Sequence, residues 1–237
     1  MAQDPGFRSF GTQATGVLAE ERVTSFLRRV YGWMFVGLLV TAGVALYVAS
    51  QPALVQAIAQ QRIVFFGLII AQLGLVWWIS ARQATLAPST AAGLFLLYAG
   101  LNGVIFSMIL LAYTGESIAT AFLTTAGMFG ALALFGTVTK RSLAGVGQFA
   151  FMGLIGIIIA SVIGFFWQND ALQFLISAAG VIVFTGLTAW DAQRLKAMAL
   201  QVEGPQSGSY AIGGALALYL DFVNLFLMIL RLLGGRR

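Results

Sequence analysis

Seven runs of about twenty mostly apolar residues, each closed by a short polar interval, set the pattern of this chain. They cover Val30–Ala49, Ile63–Ala81, Ala91–Ala112, Ile118–Val138, Phe149–Trp167, Leu172–Ala192 and Ala211–Leu233. The breaks fall at Gln51-Pro52, Arg82 to Pro88, Thr114-Gly115-Glu116, Lys140-Arg141, Gln168-Asn169-Asp170 and Glu203 to Gly208. Each run is long enough to cross a bilayer as a helix, and none shows the alternation of a barrel strand. The pattern predicts an all-α membrane protein with seven transmembrane helices. Residues 1–29, polar and mixed in charge, read as a cytosolic tail, and residues 30–237 as the seven-helix transmembrane domain. The tail has no short basic start leading into an apolar core, so it does not read as a cleaved secretory signal.

Counting Lys and Arg orients the spans. With the N-terminus inside, Arg8, Arg22, Arg28, Arg29, Arg82, Lys140, Arg141, Arg194 and Lys196 are cytoplasmic. Arg62, Arg231, Arg236 and Arg237 lie opposite, an excess of the expected sign except at the C-terminus. A re-entrant last segment would improve that count, but Ala211–Leu233 has the length of a full crossing and no central turn residue.

Composition narrows the chemistry. Charged residues make up 9% of the chain, far below the roughly 25% of a soluble domain. There is no cysteine and no histidine, which removes disulfides, thiolate nucleophiles, imidazole bases and His-ligated metals. No cofactor is expected. The net charge of +5 is spread over loops and termini rather than clustered with aromatics, so nucleic-acid binding is not expected. The 28 glycines recur inside spans, where small residues let helix backbones approach closely.

Against this background two carboxylates stand out. Asp221 is ionisable within the last span, where a charge costs roughly 2.5–3.5 kcal/mol on insertion scales and marks a candidate functional site. Gly213, Ala217, Asp221, Asn224 and Met228 follow helical steps and share one face, a strip of small residues leading to Asp and Asn. Structural hydrogen bonding is the alternative role for Asp221 and Asn224. Asp191 is expected near the cytoplasmic end of the preceding span, paired with Arg194 three residues on or meeting Asp221 if the helices pinch together. Two carboxylates sharing a site hold one proton between them, which would make a pH-dependent latch. Ionised, the same pair offers a transient contact for a divalent cation. Arg82, at the end of the second span, is a candidate neutralising charge or simply a snorkelling side chain.

The segments VYGWMFVGLLVTAGVAL (Val30–Leu46), TAGMFGALALFGTVTKRSL (Thr125–Leu143), GLTAWDAQRLK (Gly186–Lys196) and GALALYLDFVNLFLMILRLLGGRR (Gly214–Arg237) resemble the Bax inhibitor-1/YccA family (the TMBIM group) in its bacterial inner-membrane branch. The resemblance implies a seven-helix fold whose last helix is enclosed by two three-helix layers. It also implies a pH-sensitive calcium leak gated by paired aspartates of the sixth and seventh spans, here Asp191 and Asp221, with Arg82 as the second-span arginine that bonds them. The second-span Glu of some members is missing, with Gln72 and apolar residues in its place. Bacterial relatives are further linked to modulation of a membrane-bound AAA protease.

Three function classes follow. The first is a passive cation leak, consistent with the absence of a GxxxxGK[ST] sequence. The second, an intramembrane aspartyl protease, requires a GxGD context, whereas Asp191 follows Leu-Thr-Ala-Trp and Asp221 follows Leu-Tyr-Leu. The third is a non-transporting stress-regulatory bundle acting on the protease, its carboxylates purely structural. No enzymatic activity is expected.

Overall fold

A computed structural model describes residues 5–167, 169–202, 204 and 206–235, with side chains from residue 17 onward except those of residues 59, 62 and 165. Gln168, Glu203, Pro205, Arg236 and Arg237, which figured in the loop and charge assignments, lie outside the described residues, as does the side chain of Arg62. The described chain folds into α1 (Pro5–Ala49), α2 (Pro52–Gln60), α3 (Arg62–Arg82), α4 (Pro88–Ala112), α5 (Gly115–Val138), α6 (Ala144–Phe166), α7 (Asp170–Gln201) and α8 (Ser207–Leu233). Seven of these, all but α2, are long and apolar enough to cross a membrane.

Local chemistry sets the ends. Pro52 and Pro88 open α2 and α4 at positions where a missing N–H costs nothing. The Asn169 side chain accepts from the Ala171 and Leu172 amides at the start of α7, and the Thr114 hydroxyl accepts from the Ser117 amide at the start of α5. Gly204, with φ of 79°, turns the connection from α7 to α8 in the left-handed region.

Helices α1 and α3 pack on α4, α5 and α6 pack on α7, and α8 touches α1, α3, α4, α5 and α7. The last helix thus lies between two groups of three. Its N-terminal end meets Gln83 and Pro88 through Ser209 and Gly208. At the far end the Gly235 amide donates to the Ser117 hydroxyl. The helix therefore makes a full passage of about 40 Å from one end of the bundle to the other. Its enclosure is incomplete, because Gly213, Ala217, Leu220, Asn224 and Leu227 form a half-exposed stripe. Elsewhere the exterior is apolar and exposed, with Trp77 near one end of the bundle and Trp167 near the other, as interfacial aromatics require.

Two features depart from the sequence expectation. Helix α2 occupies a segment between spans; too short to cross a bilayer, it tucks Val55 and Ile58 against Val48. More consequentially, α7 does not end at Ala192. It runs on to Gln201 because Ala192, Leu195 and Ala199 keep an apolar inner stripe on the core while Arg194 and Lys196 stand on other faces. Asp191 is therefore about ten residues inside its helix, not at its end.

The extension also organises the neighbouring connection. Gln193 accepts from the Leu143 amide at 2.8 Å and donates to the Arg141 carbonyl at 2.8 Å, tying the α5–α6 turn to α7. Lys196 donates to the Thr137 carbonyl at the end of α5. Replacing Gln193 with leucine removes both turn bonds, and the Leu143 amide is expected to exchange about fivefold faster, the effect of one lost hydrogen bond. Hydrogen exchange read by mass spectrometry on a peptide covering residues 139–147 checks this; unchanged protection would refute it.

Candidate functional site

The α7–α8 contact carries both carboxylates. Met228 packs onto Gly180, and Leu195 packs onto Gly214, which fixes an antiparallel register. Gly214, Asp221 and Met228 repeat every seven residues on one face of α8, while Gly180, Asp191 and Leu195 share the facing side of α7. In this register Asp191 falls level with Leu218, and Asp221 level with Thr188. The carboxylates are offset along the axes by about three residues, or ~4.5 Å of rise.

Both are buried, at 7% exposure for Asp191 and 5% for Asp221. Each has one buried oxygen, Oδ1 of Asp191 and Oδ2 of Asp221, that makes no hydrogen bond to the described residues. The carboxylates act on each other as like charges, and Arg194 acts on both as the nearby cation. Arg194 Nε lies 3.5 Å from Asp191 Oδ1, and its guanidinium sits over the Trp190 ring, 5.0 Å from the centroid. Trp190 in turn covers Gly147 of α6. Thr188, level with Asp221, gives its hydroxyl to the Phe184 carbonyl and leaves the carboxylates to each other and to the arginine.

The structure brings Asp191 and Asp221 together and leaves the other two sequence-derived residues apart. Arg82 is exposed at the end of α3, its guanidinium 5.6 Å from the centroid of the Trp78 ring. The arginine that lies beside the pair is Arg194, supplied by α7 itself. Asn224 is half-buried and gives its amide to the Leu220 carbonyl one turn back, a bond within its own helix. Among the described residues no three Asp or Glu side chains gather into a metal-binding group. The site is a pair, well short of the six to eight oxygens that calcium takes in a tight site.

A second polar cluster lies outside the residues that the sequence pattern singles out. Two residues before Asp221, and on another side of α8, Tyr219 is fully buried between α1 and α4. Its hydroxyl accepts from Asn102 Nδ2 at 2.7 Å and lies 2.6 Å from Thr41 Oγ1. Thr41 directs its own hydrogen to the Gly37 or Ala99 carbonyl, so Tyr219 donates to Thr41. Phe95 and Tyr98 close on the Tyr219 ring edge-to-face at 5.7 and 5.8 Å. The available signal was Asn102, an amide in the middle of an apolar span where polar groups bind across helices. Tyr219→Phe strands that amide and is expected to lower stability by about 1–2 kcal/mol. Unfolding by SDS titration in mixed micelles measures it; a midpoint equal to the parent's would remove the cluster's structural role.

Seven apolar helices with a lipid-facing exterior and an acidic pair shut between the last two define a polytopic integral membrane protein. Residues 23–237 match the family model described as inhibitor of apoptosis-promoting Bax1, and the chain belongs to that family, the Bax inhibitor-1 family. It is 48% identical over 216 residues to inner membrane protein YbhL of Escherichia coli K12, covering 90% of this chain and 92% of the relative. A protein of Borreliella burgdorferi is 43% identical over 215 residues, covering 90% of this chain and 92% of the relative. One of Deinococcus radiodurans is 40% identical over 217 residues, covering 91% and 93%. The seven helices fit a multi-pass membrane protein, and the name of the Escherichia coli relative places that relative in the inner membrane.

Proposed function

We propose that this protein is a passive, pH-sensitive leak for calcium or a similar cation, gated by Asp191 and Asp221. One observation supports the reading: two buried carboxylates about one turn apart on the facing sides of α7 and α8, with the Arg194 guanidinium 3.5 Å from one of them. The sign follows from electrostatics. At low pH a shared proton lets the carboxylates bond to each other and holds the helices closed. As pH rises that proton leaves, and two like charges in a poorly hydrated site repel by several kcal/mol, on the order of 4 kcal/mol at 4 Å. The helices part at that level, and the freed oxygens replace part of a passing cation's hydration shell. Two carboxylates bind calcium weakly, which conduction requires, since an ion must leave as readily as it enters.

In this reading the protein sits in the bacterial inner membrane with its N-terminus cytoplasmic, and the end bearing Arg28, Arg29, Arg82, Lys140 and Arg141 faces the cytoplasm. No covalent step takes part, and no enzymatic activity is assigned. The test is calcium entry into dye-loaded liposomes containing the purified chain, with entry increasing between about pH 6 and pH 8. Entry equal to that of empty liposomes at every pH sinks the reading. A non-transporting role that modulates a membrane-bound AAA protease would then take its place.

A further inference from the structure

Arg194 stands beside the carboxylate pair without being bound to it. Its Nε is 3.5 Å from Asp191 Oδ1, longer than the roughly 2.7–2.9 Å of a charge-assisted hydrogen bond, and that oxygen makes no hydrogen bond to the described residues. Asp221 Oδ2 makes none either. The Arg194 side chain is 45% exposed where that of Asp191 is 10% exposed, so the guanidinium stands at the accessible edge of the pair. The Trp190 ring gives it a second seat, 5.0 Å from the centroid. That ring lies so close to Gly147 of α6 that a Cβ there would collide with it, which holds the seat in place. A cation over an aromatic face is attracted to it, and this offsets part of what the guanidinium forgoes at the carboxylate. Nearby cations are engaged elsewhere, Lys196 with the Thr137 carbonyl and Arg82 with Trp78.

Charge decides what such an arginine does to an arriving ion. Two ionised carboxylates and one guanidinium leave a single net negative charge. A monovalent ion that takes the arginine's place only restores the balance already there. It must also outcompete a group tethered within reach, whose effective concentration is about millimolar or higher. A divalent ion neutralises both carboxylates at once and so gains by displacing it. The guanidinium keeps its charge throughout the working pH range, so titration does not switch this competition off. We propose that Arg194 is the specificity-determining residue of the pair, a tethered cation that holds the place a monovalent ion would take and yields it to a divalent one. This inference rests on the leak reading and deepens it.

The test compares sodium and calcium entry into dye-loaded liposomes for the parent chain and its Arg194 variants. Arg194→Gln is expected to raise sodium entry relative to calcium about tenfold, well within what a unit charge exerts at this range. Arg194→Lys keeps the tethered charge and should keep most of the calcium preference, a rescue that a role in packing alone does not give. Lys196→Gln, which removes a cation of the same helix away from the pair, should leave the ratio unchanged. Arg194→Met, similar in length and uncharged, repeats the test should the Gln variant fold poorly. A second arm needs no transport: terbium(III) is titrated into the full chain in detergent, its luminescence excited through Trp190. Arg194→Gln should tighten terbium binding about tenfold, and adding Asp191→Asn should abolish the gain. Flux absent from every protein ends the leak reading alone, and the terbium arm then decides the arginine's role. An ion ratio or a terbium affinity that ignores both Arg194→Gln and Arg194→Met, or a preference lost as fully in Arg194→Lys, overturns the proposal.

Discussion

Liposomes carrying the Asp221→Asn protein are expected to admit calcium at about a tenth of the parent rate or less at pH 8, and at a rate no longer dependent on pH. The substitution keeps the shape of the side chain and removes the charge. In a partly dehydrated site one carboxylate is worth more than the 1.4 kcal/mol that corresponds to a tenfold change. It also removes one half of the like-charge pair, so there is no repulsion left for titration to switch. Asp191→Asn should flatten the profile too, since Asp221 is then left facing Arg194 without its carboxylate partner. Arg82→Gln is the discriminating control: with its guanidinium over Trp78 and away from the pair, its loss should alter neither rate nor profile. A pH dependence that survives both aspartate changes, in protein shown to be folded by its thermal midpoint, would end the gating assignment.

The second large effect concerns packing beside the pair. Gly136 of α5 lies against the backbone carbonyl of Ala189 on α7, so closely that a Cβ there would collide with it and crowd the Ala192 methyl. Backbone cannot swing aside as a side-chain tip does. Gly136→Ala should therefore force α5 away from α7 and lower stability by about 1–3 kcal/mol, the usual range for overpacking. Gly127, nine residues or about two and a half turns earlier on the same helix, has no neighbour within 4 Å of a Cβ. Gly127→Ala should be neutral or should stabilise by up to about 1 kcal/mol, the difference in helix propensity. The pair of midpoints, measured in one detergent, separates the local collision from any general intolerance of alanine in α5. Equal midpoints would show that the α5–α7 contact yields freely. Because Ala189 is two residues from Asp191, a displaced α7 should also disturb calcium entry, which links this contact to the site.

The spans were legible because lipid imposes one demand on every residue of a crossing, and runs such as Ala91–Ala112 satisfy it without interruption. Caps were legible for the same local reason: Thr114 and Asn169 appear as polar punctuation and act as hydrogen-bond acceptors at helix starts. The end of α7 was hidden because, after Asp191, only one stripe of the helix is apolar. Averaging around the turn lets Arg194 and Lys196 cancel Leu195 and Ala199. That misplacement set Asp191 at the end of its span, able to meet Asp221 only if the helices pinch together, where the register of α7 on α8 brings them within about one turn. Asp221 was readable by itself, since an isolated charge in an apolar run has few explanations. Its partner cation was not. Arg82 and Arg194 both stand near ends of apolar runs, and choosing between them needs the helix contacts that place Trp78 beneath one and Asp191 beside the other.

Tyr219 and Asp221 occupy successive levels of α8 and point to different neighbours, one bound into α1 and α4, the other set against α7. Because Tyr219 is hydrogen-bonded to Thr41 and Asn102, α8 cannot roll about its long axis without breaking those bonds. Any rearrangement that exposes the acid groups must therefore swing α7 outward or bend the bundle above and below this waist, while α8 stays fixed as the axle.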